Sequence, residues 1–192
     1  MTRRCAVFLA RDGVLNHAPV HEGLPVPPRD PCDFAILPGV REACVRLREH
    51  GFLLVVVTNQ PDAGRARQSR VAVSAMHDIL VQHLPIDRIE VCYDGGDARS
   101  IFRKPETGML LRVAADWNVD LRSSFMVGHR WRDIECGRAA GCTTLLIDRD
   151  YCEPVPARPH YRVRSLTEAA EQIINSAGLQ CRCATATSLA PR

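Results

Sequence analysis

Residues 52–62 have the sequence FLLVVVTNQPD, and this stretch decides the fold. Its first six residues are all apolar, which is typical of a β-strand that is buried on both faces. A strand of that kind belongs to a parallel sheet with helices on both sides. The polar residues Thr58, Asn59 and Gln60 follow directly, at the end of the strand where ligands bind in open α/β sheets.

Helical and strand patterns alternate along the rest of the chain. Residues 38–51 are predicted to be helical, because apolar residues recur at helical spacing from Val40 and Gly51 supplies a stop. Further strands are predicted at 5–10, 88–93, 124–127 and 143–147, and further helices at 69–83, 107–118, 131–140 and 166–174. This alternation predicts an α/β, three-layer, Rossmann-like fold with a central parallel sheet and right-handed crossovers.

The chain length of 192 residues suggests one domain, at roughly 150 residues per domain. We place that domain at 1–175. The segment 19–31 carries five prolines and is predicted to be a loop close to the site described below. Residues 176–192 lack helical periodicity and are predicted to form a flexible C-terminal tail.

Composition excludes several classes of protein. Hydrophobic residues make up 46% and charged residues 24%, which argues against disorder. The net charge of +3 does not favour nucleic acid as a partner, and no apolar run approaches the roughly 20 residues of a membrane span. Arg11 and Asp12 interrupt the first apolar run too early for a signal peptide. Nine cysteines without regular spacing indicate free thiols, so we expect a cytoplasmic protein.

Polar residues collect after successive predicted strands, in the segments 10–13, 58–60, 103–105 and 128–133. Each cluster alone is typical of an ordinary turn, and Asp133 alone would suit a helix start. Their joint occurrence indicates one site. Thr58 and Asn59 can donate hydrogen bonds, and Lys104 supplies a point charge. Asp12 and Asp133 suit acid, base or metal-ligand roles.

Four segments of the chain carry a family resemblance. FLARDGVLN (8–16), RKPETGMLL (103–111) and the segments 37–62 and 124–148 resemble the haloacid dehalogenase (HAD) phosphatase superfamily. Within it, they are similar to the small group without a large cap that contains heptose-bisphosphate phosphatases and histidinol-phosphatases. The resemblance spans about residues 5–175. It implies a HAD-like fold and phosphoryl transfer through an aspartyl-phosphate with Mg²⁺.

The residues that hold phosphate in the family are present. The resemblance assigns phosphate binding to Thr58, Asn59 and Lys104, and a substrate contact to Arg103. We place Arg11 with these phosphate- and substrate-binding residues because it adds positive charge at the same sheet edge. We therefore expect a phosphorylated small molecule as the ligand, with a protein partner as a further option.

The catalytic motifs depart from the family pattern. Ala10 stands where the family has its nucleophilic Asp, although Asp12, the general acid/base, remains. His129 replaces an Asp that binds magnesium in the family, leaving Asp133 and His129 as a degenerate metal site. Mg²⁺ prefers oxygen ligands, so we expect no cofactor, with magnesium weak or absent. A protonated His129 would pair with a ligand phosphate; alternatively it is a neutral loop histidine bonded to a neighbour.

The zinc loop that many relatives carry is also altered. In residues 92–105, Cys92 remains, while Asp94, Ser100 and Phe102 stand at the other ligand positions. One thiol cannot build a tetrahedral site, so we expect no zinc, with Phe102 packed in its place. Cys181 and Cys183 form only a weak metal-binding pattern.

Three functions remain open. The first is a pseudo-phosphatase that binds a phosphorylated sugar or similar metabolite. The second is an enzyme that uses Asp12, His129 and Asp133 for acid–base chemistry without an aspartyl-phosphate. The third is a sugar-phosphate phosphatase with an engineered nucleophile substitution. In the loop 19–31 and beside it, His17, His21 and Arg29 either touch the ligand or face solvent.

Overall fold

A computed structural model describes residues 3–95, 100–149, 151–153 and 158–186, with side chains up to residue 177. The strands in these ranges are β1 (Ala6–Leu9), β2 (Val20–His21), β3 (Leu24–Pro25), β4 (Leu53–Asn59), β5 (Arg88–Cys92), β6 (Phe125–Gly128), β7 (Thr143–Ile147) and β8 (Tyr161–Val163). The α-helices are α1 (Val40–Glu49), α2 (Pro61–Gly64), α3 (Arg70–His83), α4 (Gly108–Trp117), α5 (Trp131–Ala139) and α6 (Leu166–Ala186).

Six of the strands form one sheet in the order β5-β4-β1-β6-β7-β8. Every pairing in it is parallel, with Ala6 opposite Leu53 of β4 and Val7 opposite Phe125 of β6. The chain builds the sheet outward from β1, first through β4 and β5 and then, on the other side, through β6 and β7. The carboxyl ends of β1, β4 and β6 therefore flank the topological switch point, where ligands bind in such sheets.

Apolar layers cover both faces of the sheet, as the all-apolar sequence of β4 requires. Leu54 and Val56 point into a cluster that includes α1, α3 and α6, while Leu53, Val55 and Val57 point into a second cluster with α4 and α5. Successive strand residues face opposite sides, so a strand covered on both faces needs apolar residues at every position. The predicted three-layer α/β fold is thus confirmed.

Three elements differ from the sequence prediction. The segment 19–31 contains the hairpin of β2 and β3, where Val20 pairs with Pro25, rather than only loop. The edge strand β8 is absent from the predicted elements, because three residues are too few to show a period. The backbone of α6 continues to Ala186, through much of the predicted tail.

No helix in the described part of the chain is long and apolar enough to cross a membrane.

Candidate active site

A cavity of about 550 Å³ opens at the carboxyl ends of the central strands. All the site residues expected from the sequence line it: Ala10, Arg11, Asp12, Thr58, Asn59, Arg103, Lys104, His129 and Asp133. Parallel strands bring their carboxyl ends to one sheet edge, so segments that are far apart in sequence converge here. The hairpin of β2 and β3 and the first residues of α5 complete the walls.

Ala10 occupies the cavity wall directly after β1. Its main-chain N–H donates to the carbonyl oxygen of Val127 at 2.9 Å, which fixes the residue between β1 and β6. Only 2% of the residue is exposed, and its side chain is a methyl group. At this point the cavity offers neither a nucleophile nor a metal ligand.

Asp12 is held by donors on several sides. Its carboxylate accepts from Arg11 (Nε at 3.1 Å, Nη2 at 3.0 Å), from Asn16 Nδ2 at 3.1 Å and from Gln60 Nε2 at 2.9 Å. Burial by itself would raise the pKa of Asp12, but the Arg11 charge and these hydrogen bonds outweigh it and keep the pKa below its ordinary value. Asp12 is therefore an ionised acceptor at neutral pH and a poor proton donor.

Gln60 links Asp12 to Thr58 and is missing from the residues predicted for the site. Its Nε2 donates to Asp12 and also to Thr58 Oγ1, at 2.9 Å in each case. Because the Thr58 oxygen accepts this bond, its own O–H is left to donate to a ligand. Gln60 lies in the polar cluster 58–60, so its position near the site could be predicted from the sequence, whereas its hydrogen bonds could not.

Lys104 and Asp133 form a buried ion pair. Lys104 Nζ lies 2.7 Å from Asp133 Oδ1 and donates to the carbonyl oxygen of Val57 at 2.7 Å. The other carboxylate oxygen, Oδ2, accepts from the main-chain N–H groups of His129 and Arg130, each at 3.1 Å. Burial opposes ionisation, but Lys104 and His129 lower the pKa of Asp133 far below its usual range. Asp133 thus stabilises the start of α5 as well as lining the cavity.

Asn59 uses both ends of its side-chain amide to contact the main chain of Lys104. Its Nδ2 donates to the carbonyl oxygen of Lys104 at 3.0 Å, and its Oδ1 accepts from the Lys104 N–H at 3.1 Å. Both ends of the amide are thereby used on the main chain of the lysine. The contacts of Asn59 are those of a residue that positions Lys104.

His129 lies between Gly13 and Tyr151. Its ring meets Tyr151 edge-on at 5.6 Å between centroids, and a Cβ on Gly13 would lie 2.6 Å from His129 Cδ2. Nδ1 is 3.5 Å from Asp133 Oδ2 and is buried without a hydrogen-bond partner among the described residues. Gly13 also has φ of +71°, so both the backbone and the packing require glycine there.

The segment that aligns with the zinc loop is held by hydrogen bonds in its described part. Cys92 Sγ lies 3.6 Å from Asp94 Oδ2 and 3.9 Å from Ser100 Oγ, and Ser100 donates to Asp94. Phe102 is partly buried beside this group, with the Arg112 guanidinium 3.9 Å above its ring. The side chains of Cys181 and Cys183 lie outside the described residues.

One of the three residues for which ligand contact or a solvent-facing position stayed open lines the cavity. His21 lines the cavity, whereas His17 and Arg29 are exposed and lie outside its lining. The turn of the hairpin is held because the Cys152 N–H donates to the Gly23 carbonyl oxygen at 2.9 Å, and the segment after β3 is held because Gln68 Nε2 donates to the carbonyl oxygen of Arg29 at 3.0 Å. Apolar residues of the hairpin and of the segment after it line the cavity: Leu24, Pro25, Val26 and Pro27.

The fold and this site define a class, the phosphatase-type α/β proteins of the HAD group, and comparison with known proteins agrees. Residues 101–169 match the HAD-hydrolase-like family. D-glycero-D-manno-heptose-1,7-bisphosphate 7-phosphatase of Thermosynechococcus vestitus is 32% identical over 195 aligned positions, covering 88% of this chain and 95% of that protein. The D-glycero-alpha-D-manno-heptose-1,7-bisphosphate 7-phosphatase of Burkholderia mallei is 36% identical, covering 76% and 81%.

A solved structure agrees as well. The D,D-heptose 1,7-bisphosphate phosphatase of B. bronchiseptica, complexed with magnesium and phosphate, superposes with a TM-score of 0.74 at 28% identity. The match covers 90% of this chain and 99% of that one. The chain therefore belongs to the HAD family of phosphatases that includes the heptose-bisphosphate phosphatases.

The expectation that no cofactor takes part, with magnesium weak or absent, is wrong in the light of that magnesium complex. Two lost carboxylates do not amount to the loss of the site, because Mg²⁺ in proteins takes one or two carboxylates together with phosphate oxygens and water. The Asp133 carboxylate lines the cavity, so the residues present fit such a site. No group of three His, Cys, Asp or Glu that could hold a metal ion is found among the described residues, so the other ligands would be oxygens such as those of phosphate and water.

Proposed function

We propose that this chain binds the phosphate group of a phosphorylated sugar or similar small metabolite and does not cleave it through an aspartyl-phosphate. Ala10 carries this proposal, because a methyl group stands where the family motif has its nucleophile. Covalent catalysis needs an atom with a lone pair within reach of phosphorus. The ligand is thus held in a phosphatase cavity without the usual first step.

Asp12 is a poor substitute for the missing nucleophile. Its carboxylate is fixed by Arg11, Asn16 and Gln60, and moving it toward a ligand would break these bonds. A buried carboxylate that leaves its arginine also leaves a buried cation unpaired, which is costly. The same pairing disfavours acid–base chemistry by Asp12, and the Lys104 ion pair disfavours it for Asp133.

Groups that bind phosphate remain available. The Thr58 hydroxyl is free to donate, and Lys104 brings a positive charge to the same cavity. Arg103 donates to the carbonyl oxygen of Asp94 at 3.1 Å and has no carboxylate partner among the described residues. Charge-assisted hydrogen bonds of this kind are the strong ones in phosphate recognition.

The proposal includes magnesium because the homologous structure is complexed with magnesium and phosphate. Asp133 would hold the ion together with phosphate oxygens and water, as Mg²⁺ favours. When bound, the ion neutralises part of the phosphate charge.

The free cysteines of the described residues agree with a reducing compartment, and we place the protein in the cytoplasm.

Calorimetry with inorganic phosphate and fructose 6-phosphate, with and without Mg²⁺, tests binding. A colorimetric assay on the same samples measures phosphate release. We expect binding, and release no faster than in a blank without protein. Thr58→Val, which removes only the hydroxyl, should weaken phosphate binding by about tenfold. Phosphate release that is seen with the wild-type protein and is absent with Lys104→Met would show a working phosphatase. If neither probe binds, the proposed binding role is refuted.

Restoring the family's carboxylates tests the reason for the lost reaction. We expect Ala10→Asp together with His129→Asp to release phosphate from fructose 6-phosphate in Mg²⁺, and Ala10→Asp alone to release less. Equal activity of the single and double variants would show that Ala10 is the whole difference. Circular dichroism of each variant checks that the fold survives the added charges.

A further inference from the structure

We propose that the part of the ligand beyond its phosphate group is apolar and packs against one wall of the cavity. This wall, here called the apolar wall, is formed by four consecutive residues of β3 and the segment after it: Leu24, Pro25, Val26 and Pro27. The inference rests on the proposed function and deepens it. It names a phosphorylated aromatic or aliphatic compound as the ligand class, in preference to a sugar with many hydroxyl groups.

The apolar wall belongs to the same cavity as the groups proposed to bind phosphate. Thr58 and Lys104 line this cavity of about 550 Å³ together with the apolar wall. Pockets of roughly 300–1,000 Å³ take whole small molecules, so a phosphate group alone leaves most of the volume to the rest of the ligand. The apolar wall is one of the surfaces that this remaining part would meet.

The main chain of the apolar wall has no free N–H group from Pro25 to Pro27. The two prolines carry no N–H, and the N–H of Val26 donates to the carbonyl oxygen of Pro19 at 2.7 Å. A ligand hydroxyl packed against these residues would lose bonds to water and find no N–H donor in return. An apolar group has no such bonds to lose, so the wall favours it.

The amide of Gln60 does not supply donors for hydroxyl groups either. Its Nε2 donates to Asp12 and to Thr58, at 2.9 Å in each case, and these two bonds use both hydrogens of the group. The Thr58 hydroxyl accepts one of them and keeps its own hydrogen for the phosphate. Two neutral side chains of the kind that recognise sugar hydroxyls are thus engaged in the phosphate-binding network.

The polar side chains of the hairpin lie closer to solvent than the apolar wall does. His21 and Glu22 also line the cavity, but both are exposed, whereas Pro25, Val26 and Pro27 are partly buried. The hairpin therefore presents polar residues toward the mouth of the cavity and apolar residues deeper inside.

The apolar wall is held in place before any ligand arrives. On one side of it the Cys152 N–H donates to the Gly23 carbonyl oxygen at 2.9 Å, and on the other Gln68 Nε2 donates to the Pro28 carbonyl oxygen at 2.9 Å. Two of its four residues are prolines, whose rings fix φ. A surface that is already ordered loses little conformational entropy when a ligand packs against it.

Water contacts part of the apolar wall in the unliganded cavity. Leu24 is a large apolar residue and is 41% exposed. Removing apolar surface from water is favourable in proportion to the area covered. An apolar group on the ligand would therefore gain affinity at this wall that a hydroxylated group would not.

Calorimetry with inorganic phosphate, fructose 6-phosphate and phenyl phosphate tests the inference, at a pH where all three probes are dianions. We expect phenyl phosphate to bind about tenfold tighter than fructose 6-phosphate. Val26→Thr adds a hydroxyl to the wall with little change in size, and Leu24→Asn replaces its most exposed side chain. Each variant should reduce the preference for phenyl phosphate about threefold and leave the affinity for inorganic phosphate unchanged.

Val20→Asn is the matched control, because Val20 is a 58% exposed residue of the same hairpin that does not line the cavity. It should keep the preference of the wild type. If fructose 6-phosphate binds at least as tightly as phenyl phosphate, the inference is refuted while the proposed function stands. A preference that survives in both wall variants would place its origin elsewhere and also refute the inference. If none of the three probes binds, the proposed function itself fails.

Discussion

The side-chain amide of Asn59 holds the main chain of Lys104 from both sides. Nδ2 donates to the Lys104 carbonyl oxygen at 3.0 Å, and Oδ1 accepts from its N–H at 3.1 Å. The two residues lie 45 positions apart in sequence, and this contact sets the point from which the lysine side chain reaches Val57 and Asp133. We therefore expect the proposed phosphate binding by Lys104 to depend on Asn59.

Asn59→Ala should lower the affinity for inorganic phosphate by about tenfold and the free energy of unfolding by about 1–3 kcal/mol, because two main-chain groups lose their partner. Calorimetry and urea denaturation measure the two effects. Gln68→Ala is the control, since Gln68 also bonds main-chain carbonyl oxygens, those of Pro28 and Arg29, away from Lys104. It should leave phosphate affinity unchanged. An unchanged affinity in Asn59→Ala would contradict the positioning role.

Elements with a clear hydrophobic period could be predicted from the sequence. The residues expected inward on α1, which include Val40 and Leu47, are all buried, and β4 is buried on both faces as its apolar run requires. The buried face of α4 does not follow from its apolar residues alone. Leu111 is apolar but 51% exposed, while Met109 and Val113 are buried. Several faces of α4 carry apolar residues, so periodicity alone does not choose among them.

The site residues could be located from the sequence, but their partners could not. The motifs place Asp12 and Thr58 at strand ends and Lys104 shortly before α4, and the topology of a parallel sheet brings them together. The ion pair between Arg130 and Glu153 and the position of the hairpin depend on contacts between segments that are distant in sequence, and no local sequence pattern indicates such contacts. For the same reason no sequence pattern indicates that Asn59 contacts the Lys104 main chain.

Lys104→Met should cost about 3–5 kcal/mol of stability near neutral pH, because it leaves the Asp133 carboxylate buried without its cation. The pKa of Asp133 in the folded protein is lowered, so its contribution is complete above the unfolded value of about 3.9 and is lost as the pH falls further. The gap between wild type and Lys104→Met should thus narrow in acid. Urea denaturation at neutral and acidic pH measures it.

The double variant Lys104→Met with Asp133→Asn removes both charges and is the control for this ion pair. It should recover part of the lost stability at neutral pH, since no unpaired charge stays buried. A gap that stays constant from neutral to acidic pH would contradict the contribution of the Asp133 carboxylate.

His77 should make the protein less stable in weak acid. Its Nε2 lies 3.3 Å from Arg11 Nη1 and must accept this bond, because a guanidinium only donates. Burial and the Arg11 charge lower the pKa of His77 to about 4. The pKa of His77 in the unfolded chain is roughly 6.5. Between pH 6.5 and about pH 4, the unfolded chain therefore binds a proton that the folded chain does not, so the free energy of unfolding decreases as the pH is lowered.

His77→Gln keeps an acceptor for Arg11 and removes the titration. We expect it to flatten this part of the stability profile by on the order of 1 kcal/mol, allowing for the partial exposure of the ring. His83→Gln, on the same helix but exposed, should leave the profile as in wild type. Equal slopes for wild type and His77→Gln in urea denaturation would contradict the prediction.

Gly13→Ala should test the contact between Gly13 and the His129 ring. The new Cβ would lie 2.6 Å from His129 Cδ2, and φ of +71° disfavours any side chain. We expect a loss of about 2–4 kcal/mol, of which the backbone accounts for about 1 kcal/mol. In a His129→Ala background the ring is absent, so only the backbone part should remain. Urea denaturation of the single and double variants measures both costs.

Gly51→Ala is the control for the backbone part, since Gly51 has φ of +84° but a Cβ added there would have nothing within 4 Å among the described residues. It should cost the same with and without the His129 ring. A cost of Gly13→Ala that does not change when His129 is removed would mean that the ring can move aside, and that the packing of His129 does not explain the glycine.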